Sequence, residues 1–230
     1  MTQQTLQEII INRDQRFNIP SLFLQQAKRF REMMLLYECA VDEITTKLNI
    51  LDKELGFVSQ RNPISAIKSR VKRPQSIVDK LIRDEKPVNV DSVRENLNDV
   101  AGVRVICSYI DDIFALAEMI KKQDDIRIIE VKDYITHPKD NGYRSLHMIV
   151  EVPVFLSSDK EYVRVEIQIR TIAMDFWASL EHEIRYKKSH KHLESVAEAL
   201  MDCANTIAET DQKMLDIRSL IDDGDEKHEE

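Results

Sequence analysis

A period-two alternation of charge and grease constrains this chain more than any other feature. In Tyr162-Val-Arg-Val-Glu-Ile-Gln-Ile-Arg170, Val163, Val165, Ile167 and Ile169 form one row, and Arg164, Glu166, Gln168 and Arg170 form the opposite one. Side chains of an extended chain point alternately to the two faces of a sheet, so this segment is a strand with one core face and one charged face. The same alternation sets Leu146, Met148, Val150 and Val152 against His147 and Glu151, and Val103, Val105 and Cys107 against Arg104. Taken strand by strand, such charges read as the solvated side of an antiparallel sheet. Arg104, His147, Glu166 and Gln168 recurring on successive strands read instead as a site.

The remaining pattern is helical. From Phe23, apolar residues fall at Ala27, Phe30, Met34, Tyr37, Val41, Ile44, Leu48 and Leu51, in steps of four and three. This heptad stripe predicts a long helix over about 20–55, its partner being another helix of the chain or a second subunit. Residues 1–19 show no sustained periodicity and read as a frayed arm. Pro74 suits a first helical position, with Ile77, Leu81 and Ile82 turned inward. Asp111 is expected to cap a helix reaching Lys122. Ile172, Phe176, Leu180 and Ile184 mark the apolar face of one late helix. Leu193, Ala197, Leu200, Ala204 and Ile207 mark another, expected over 193–221, before an acidic and disordered tail at 222–230.

With 230 residues, 43% hydrophobic and 32% charged, the chain can bury a sizeable core and reads as soluble. No apolar run approaches the ~20 residues of a membrane span, and no secretory leader is recognisable, so the expected location is cytoplasmic. Cys39, Cys107 and Cys203 fit neither a disulfide framework nor a zinc spacing and read as buried thiols. A net charge of −8 argues against bulk attraction to nucleic acid. Against that background, Arg61, Lys68, Arg70, Lys72, Arg73, Lys80 and Arg83 face one acid, Asp79. The cluster is either a solvated surface or a local site for nucleotide phosphates.

Ser69-Arg-Val-Lys72 with Ser76-Ile-Val-Asp-Lys80, Asp99-Val-Ala-Gly-Val-Arg104, Lys132-Asp-Tyr-Ile135, Asn141-Gly-Tyr-Arg-Ser-Leu-His147, Glu166-Ile-Gln-Ile-Arg-Thr171 and Phe176-Trp-Ala-Ser-Leu-Glu-His182 follow one another between residues 60 and 188. In this order they resemble the (p)ppGpp synthetase domain of the RelA/SpoT proteins, and in particular its single-domain members, the small alarmone synthetases. There is no His-Asp dipeptide, so the hydrolase domain of the long members is not expected. Lys132 and Asp175 look closer to the RelP-like branch.

The resemblance implies a single α/β synthetase domain over 1–230 with its catalytic core at 60–188. Its fold is nucleotidyltransferase-like: a mixed, largely antiparallel sheet of about five strands flanked by helices. It implies Mg2+-dependent transfer of the β,γ-pyrophosphate of ATP to the 3′-hydroxyl of GDP or GTP, without hydrolase activity, in a homo-oligomer, expected to be a tetramer. Asp99 and Glu166 match the metal-ligand positions, with Glu166 also the candidate base. Arg70 and Arg104 match the pair that sandwiches adenine, and Lys72, Ser76, Lys80 and Arg83 the residues that hold the ATP phosphates. Tyr143 matches the ring that stacks on guanine. Lys139, His147, Gln168 and Glu181 match the acceptor side, although His147 also suits a satisfied histidine on a sheet face, and Glu166 a cross-strand partner of an arginine. Trp177 reads as packing. His182, His190 and His192 read as a helix end and basic loop more readily than as zinc ligands. Two rival readings are nucleotidyl transfer and a silent nucleotide- or RNA-binding module.

Overall fold

A computed structural model describes residues 21–58, 61–186 and 193–226. Its elements are α1 (Ser21–Val58), β1 (Ile64–Val71), α2 (Pro74–Arg83), α3 (Val90–Asn96), β2 (Ala101–Cys107), α4 (Ile110–Lys121), β3 (Arg127–Asp133), β4 (Leu146–Phe155), β5 (Lys160–Thr171), α5 (Ile172–Tyr186) and α6 (Leu193–Glu226). The expected arm at 1–19, His190, His192 and residues 227–230 lie outside the described residues.

The strands form one sheet in the order β1-β2-β5-β4-β3. The β2 and β5 strands pair in parallel and every other neighbouring pair is antiparallel. Alternation holds where it was read: Val163, Val165, Ile167 and Ile169 on β5 are buried, as are Met148, Val150 and Val152 on β4. Each such side chain contributes about 1.5–3 kcal/mol by leaving water, which pins the register, because a one-residue slip would turn the whole apolar row outward.

The long helix exists, and its stripe is spent inside the chain. Tyr37, Val41, Ile44, Leu48 and Leu51 are buried with Met33, Leu36 and Ala40, because α1 lies across β1, β2, β4 and β5. The partner is therefore a sheet, and the seam is not free for a coiled coil. The flat sheet surface is wider than a heptad seam, which is why Met33, Leu36 and Ala40 join the buried face.

Other expectations change. On α2, Ile77 and Leu81 are buried but Ile82 is exposed, since residue 82 falls off the inward stripe. Asp111 does not cap α4; Tyr109 is the N-cap residue and Asp112 accepts from its backbone N–H (3.2 Å), while Asp111 pairs with Arg218 (2.6 Å). The apolar face read on α5 points to solvent: Ile172, Phe176, Leu180 and Ile184 are all exposed, and Met174 and Trp177 are buried in their place. The α6 helix runs on through Glu226, past the expected end at 221, so residues 222–226 are helical rather than a disordered tail. Cys107 is buried, which pushes its thiol up to about 12, but Cys39 is only partly buried and Cys203 is exposed.

The α6 helix is fastened across the end of the sheet. Trp177 donates to the Leu200 carbonyl (2.9 Å), Thr171 donates to Asp211 (2.6 Å), and Ala204 packs against Gly142. Gly142 has φ of +86°, and a Cβ there would lie 2.6 Å from the Ala204 methyl. The turn before β4 therefore needs glycine for both conformation and space.

Candidate active site

The register lays two rows of side chains across the polar face. One runs through all five strands as Lys68, Arg104, Gln168, His147 and Lys132; the next begins Arg70, Gly102, Glu166. Gly102 leaves a gap between Arg70 and Glu166, and an open cleft forms there, lined by Lys68, Ser69, Arg70, Asp99, Gly102, Arg104, Glu166 and Gln168.

Asp99 stands just before β2 at the mouth of this cleft. Lys72 Nζ donates to Oδ2 at 2.6 Å, and Lys80 Nζ is ion-paired to Oδ1 at 2.9 Å. Burial by itself would raise the Asp99 pKa, but the two ammonium groups outweigh it and hold the carboxyl below the ordinary range. The sequence explains the convergence: Lys72 follows directly on β1, and Pro74 starts a helix that carries Lys80 back over the same acid. Ser76 is exposed on α2, and Arg83 turns to Asp84 at the helix end (3.4 Å).

Glu166 is held from two sides. His147 Nδ1 lies 3.1 Å from Oε1, and Gln168 Nε2 donates to Oε2 at 2.8 Å. Burial raises this pKa as well, and His147 with Gln168 overcomes it, so the carboxylate stays ionised. The remaining acceptor-side residues gather around Tyr143. Its hydroxyl is 2.7 Å from His147 Nε2, and Lys139 Nζ sits 5.0 Å from its ring centre. Glu181 accepts from Asn141 (3.1 Å), tying α5 to the turn that carries Tyr143.

Three participants were not assigned a role from the sequence. Arg170, only 4% exposed, donates to the Tyr143 hydroxyl and to Gln168 Oε1 (2.9 Å), and its guanidinium lies 5.0 Å from the Tyr143 ring centre. Asp175, also buried, draws in Arg104 (3.0 Å), Arg170 (3.2 Å) and Lys68 (3.3 Å). Tyr134 stands edge-on to Tyr143 and His147 and carries Lys139 over its ring at 4.5 Å. Arg61, by contrast, leaves the basic cluster and forms a two-point bond to Asp112 (2.6 and 2.9 Å). Among the described residues no group of three or more His, Cys, Asp or Glu side chains is placed to hold a metal, and His182 is exposed.

Residues 69–191 match the family model for the region found in RelA / SpoT proteins. Over 193 residues the chain is 46% identical to GTP pyrophosphokinase YwaC of Bacillus subtilis, covering 84% of this chain and 92% of that protein. The crystal structure of small alarmone synthetase 2 from B. subtilis superposes with a TM-score of 0.75 at 46% identity, covering 83% of this chain and 98% of the other. Small alarmone synthetase 1 from the same organism, bound to its product pppGpp, gives 0.78 at 34% identity, covering 84% and 98%. With the motifs, the five-strand sheet and these relatives in agreement, the chain belongs to the RelA/SpoT family and matches its small alarmone synthetases over nearly their whole length.

Proposed function

We propose that this protein is a (p)ppGpp synthetase, a GTP pyrophosphokinase that moves the β,γ-pyrophosphate of ATP to the 3′-hydroxyl of GDP or GTP. The observation that carries the reading is one polar sheet face on which a basic, arginine-flanked cleft and the Tyr143 cluster meet at Glu166. Arg70 and Arg104 offer planar cations to adenine, while Lys72 and Lys80 offer ammonium groups to the phosphates, with Ser76 and Arg83 further along α2. Tyr143 offers a stacking surface to guanine, and Lys139, Gln168, Glu181 and His147 surround it.

In the step itself, the 3′-oxygen forms a bond to the β-phosphorus, the bond from that phosphorus to the α-phosphate oxygen breaks, and AMP leaves. The ionised Glu166 takes the hydroxyl proton. Asp99 and Glu166 fit Mg2+: both are oxygen donors kept ionised, they line one cleft, and the Asp99 charge is felt at Glu166. The ammonium groups of Lys72 and Lys80 stand where a cation is wanted. Held by Asp99 and Glu166, Mg2+ would supply charge neutralisation on the phosphates, and Lys72 and Lys80 would divide their charge between Asp99 and the nucleotide.

Self-association into a homo-oligomer, a tetramer by analogy with the family, goes with this reading. Its support is the exposed apolar stripe of α5, together with Met214, Ile217, Leu220 and Ile221 on α6. A cytoplasmic setting supplies the nucleotides, and no described helix is long and apolar enough to cross a membrane. Chromatography of a reaction containing the protein, ATP, GDP or GTP, and Mg2+ tests the function. AMP with ppGpp or pppGpp is expected, and loss of both on chelation. Released pyrophosphate would instead mean nucleotidyl transfer, and no product would mean a binding module.

A further inference from the structure

The hydrogen bonds around Glu166 have a direction, and a single side chain sets it. An arginine guanidinium has five N–H donors and no acceptor. Arg170 is buried and anchored by Asp175 and Ser145, so its donors cannot turn away. One of them points at the Tyr143 oxygen, which must accept. The single hydroxyl proton of Tyr143 is then left for its other neighbour, His147 Nε2, at 2.7 Å. The ionised Glu166 carboxylate can only accept, so His147 Nδ1, 3.1 Å from Oε1, donates, and with the hydroxyl proton directed to it Nε2 accepts. A second arm starts from the same guanidinium: Arg170 donates to Gln168 Oε1 (2.9 Å), which fixes the amide so that Nε2 donates to Glu166 Oε2 (2.8 Å).

We propose that Arg170, Tyr143, His147 and Gln168 form a two-armed clasp that positions Glu166, with His147 Nδ1 as the donor to one carboxylate oxygen and Gln168 Nε2 as the donor to the other. This rests on Glu166 being the base of the proposed reaction. His147 is then a positioning residue rather than a ligand of the acceptor's phosphates: both ring nitrogens are engaged and the residue is only 8% exposed. Tyr143 has two separable parts, a ring that meets the acceptor base and a hydroxyl that orients the general base. Docking of the acceptor and alignment of the group that activates it thus pass through one side chain.

The tautomer is measurable without nucleotide. In nucleotide-free protein labelled with 15N-histidine, proton–nitrogen correlation should show His147 protonated on Nδ1 and bare on Nε2. The opposite tautomer, or a doubly protonated ring, overturns the clasp whatever the protein catalyses. Kinetics supply the second arm of the test. Tyr143→Phe keeps the ring, so it should leave KM for the acceptor within about twofold while lowering kcat about tenfold, the scale of one lost link in a charged hydrogen-bond chain. His147→Asn places an amide near Nδ1 and should keep more kcat than His147→Gln, which places it near Nε2. An unchanged kcat in Tyr143→Phe, or a His147→Gln variant as active as His147→Asn, would overturn the proposal. If the wild type transfers no pyrophosphate, the functional reading falls, and the tautomer result still stands alone.

Discussion

The two halves of the cleft are built on different physics. On the side of α2, charges are merely set against one another: Lys72 and Lys80 surround Asp99, and all three keep between 13% and 25% of their side-chain surface in water. On the side of β4, the polar groups around Glu166 have directed partners, and Arg170 keeps only 5%. Ion pairs near water tolerate exchange of partners, because the dielectric is high and no angle is demanded. Directed hydrogen bonds in a buried network do not, since a lost partner leaves a desolvated group behind. The first half suits a guest that arrives with its own charges and competes for the lysines. The second suits a guest that must be held in one orientation while a proton is removed.

The largest expected break in this contrast is Asp99→Ala. Removing the candidate metal carboxylate should cost about 10³-fold or more in turnover, several kcal/mol of transition-state charge stabilisation, at unchanged circular dichroism. Wild-type rate in that variant would remove Asp99 from the chemistry. Glu166→Gln should cost about 10²-fold, the scale of general base catalysis. If that loss vanishes as Mg2+ is raised, Glu166 is a ligand and no base, and the second half of the cleft loses its distinction.

Tyr143→Ala should raise KM for the acceptor by about 5- to 150-fold, from stacking worth about 1–3 kcal/mol, and leave KM for ATP nearly unchanged. Equal loss toward both nucleotides would mean that the halves are not separate. Arg70→Lys keeps the charge and loses the plane. With a cation–π contact of about 0.5–1 kcal/mol at stake, KM for ATP should rise about two- to fivefold. No change would mean that charge alone suffices there.

The smallest expected effect concerns folding. Burial raises the Asp211 pKa, with the Thr171 hydroxyl opposing it. A raised folded pKa means that this group's contribution is fully present below its unfolded value of about 3.9 and is lost as pH rises through the folded value. Asp211→Asn keeps an oxygen for Thr171, so it should raise the urea midpoint at pH 7 and lose that advantage as the pH drops below about 4. A midpoint shift independent of pH would mean that the carboxyl is not strained by burial.

The sheet was legible because period-two alternation has one physical cause, a strand with a wet and a dry face, and Val163 to Arg170 displays it without interruption. The helices were less so. A stripe of apolar residues shows that a helix has an inner face, not what covers it. The α1 stripe therefore looked ready for a coiled coil and lies instead on the sheet, and the α5 stripe looked buried and faces water. The candidate site divides in the same way. Asp99 and Glu166 stand in motifs that the family resemblance could name. Arg170 belongs by alternation to the charged row, and nothing in its neighbours tells that its guanidinium folds back under Tyr143, because that depends on Asp175 arriving from a helix packed across the strand's end.

Gly102 occupies the second row between Arg70 and Glu166, and its missing side chain can be treated as a shape in its own right. A methyl group placed there would touch nothing closer than 3.9 Å, an ordinary contact, so the sheet would accept alanine without rearrangement. What the methyl would fill is the gap above the backbone, where the proposed function seats the adenine ring beside Arg70 and Arg104. On that reading, an alanine at residue 102 would cost the host almost nothing and the guest a great deal, and the missing side chain is a keyhole cut by omission.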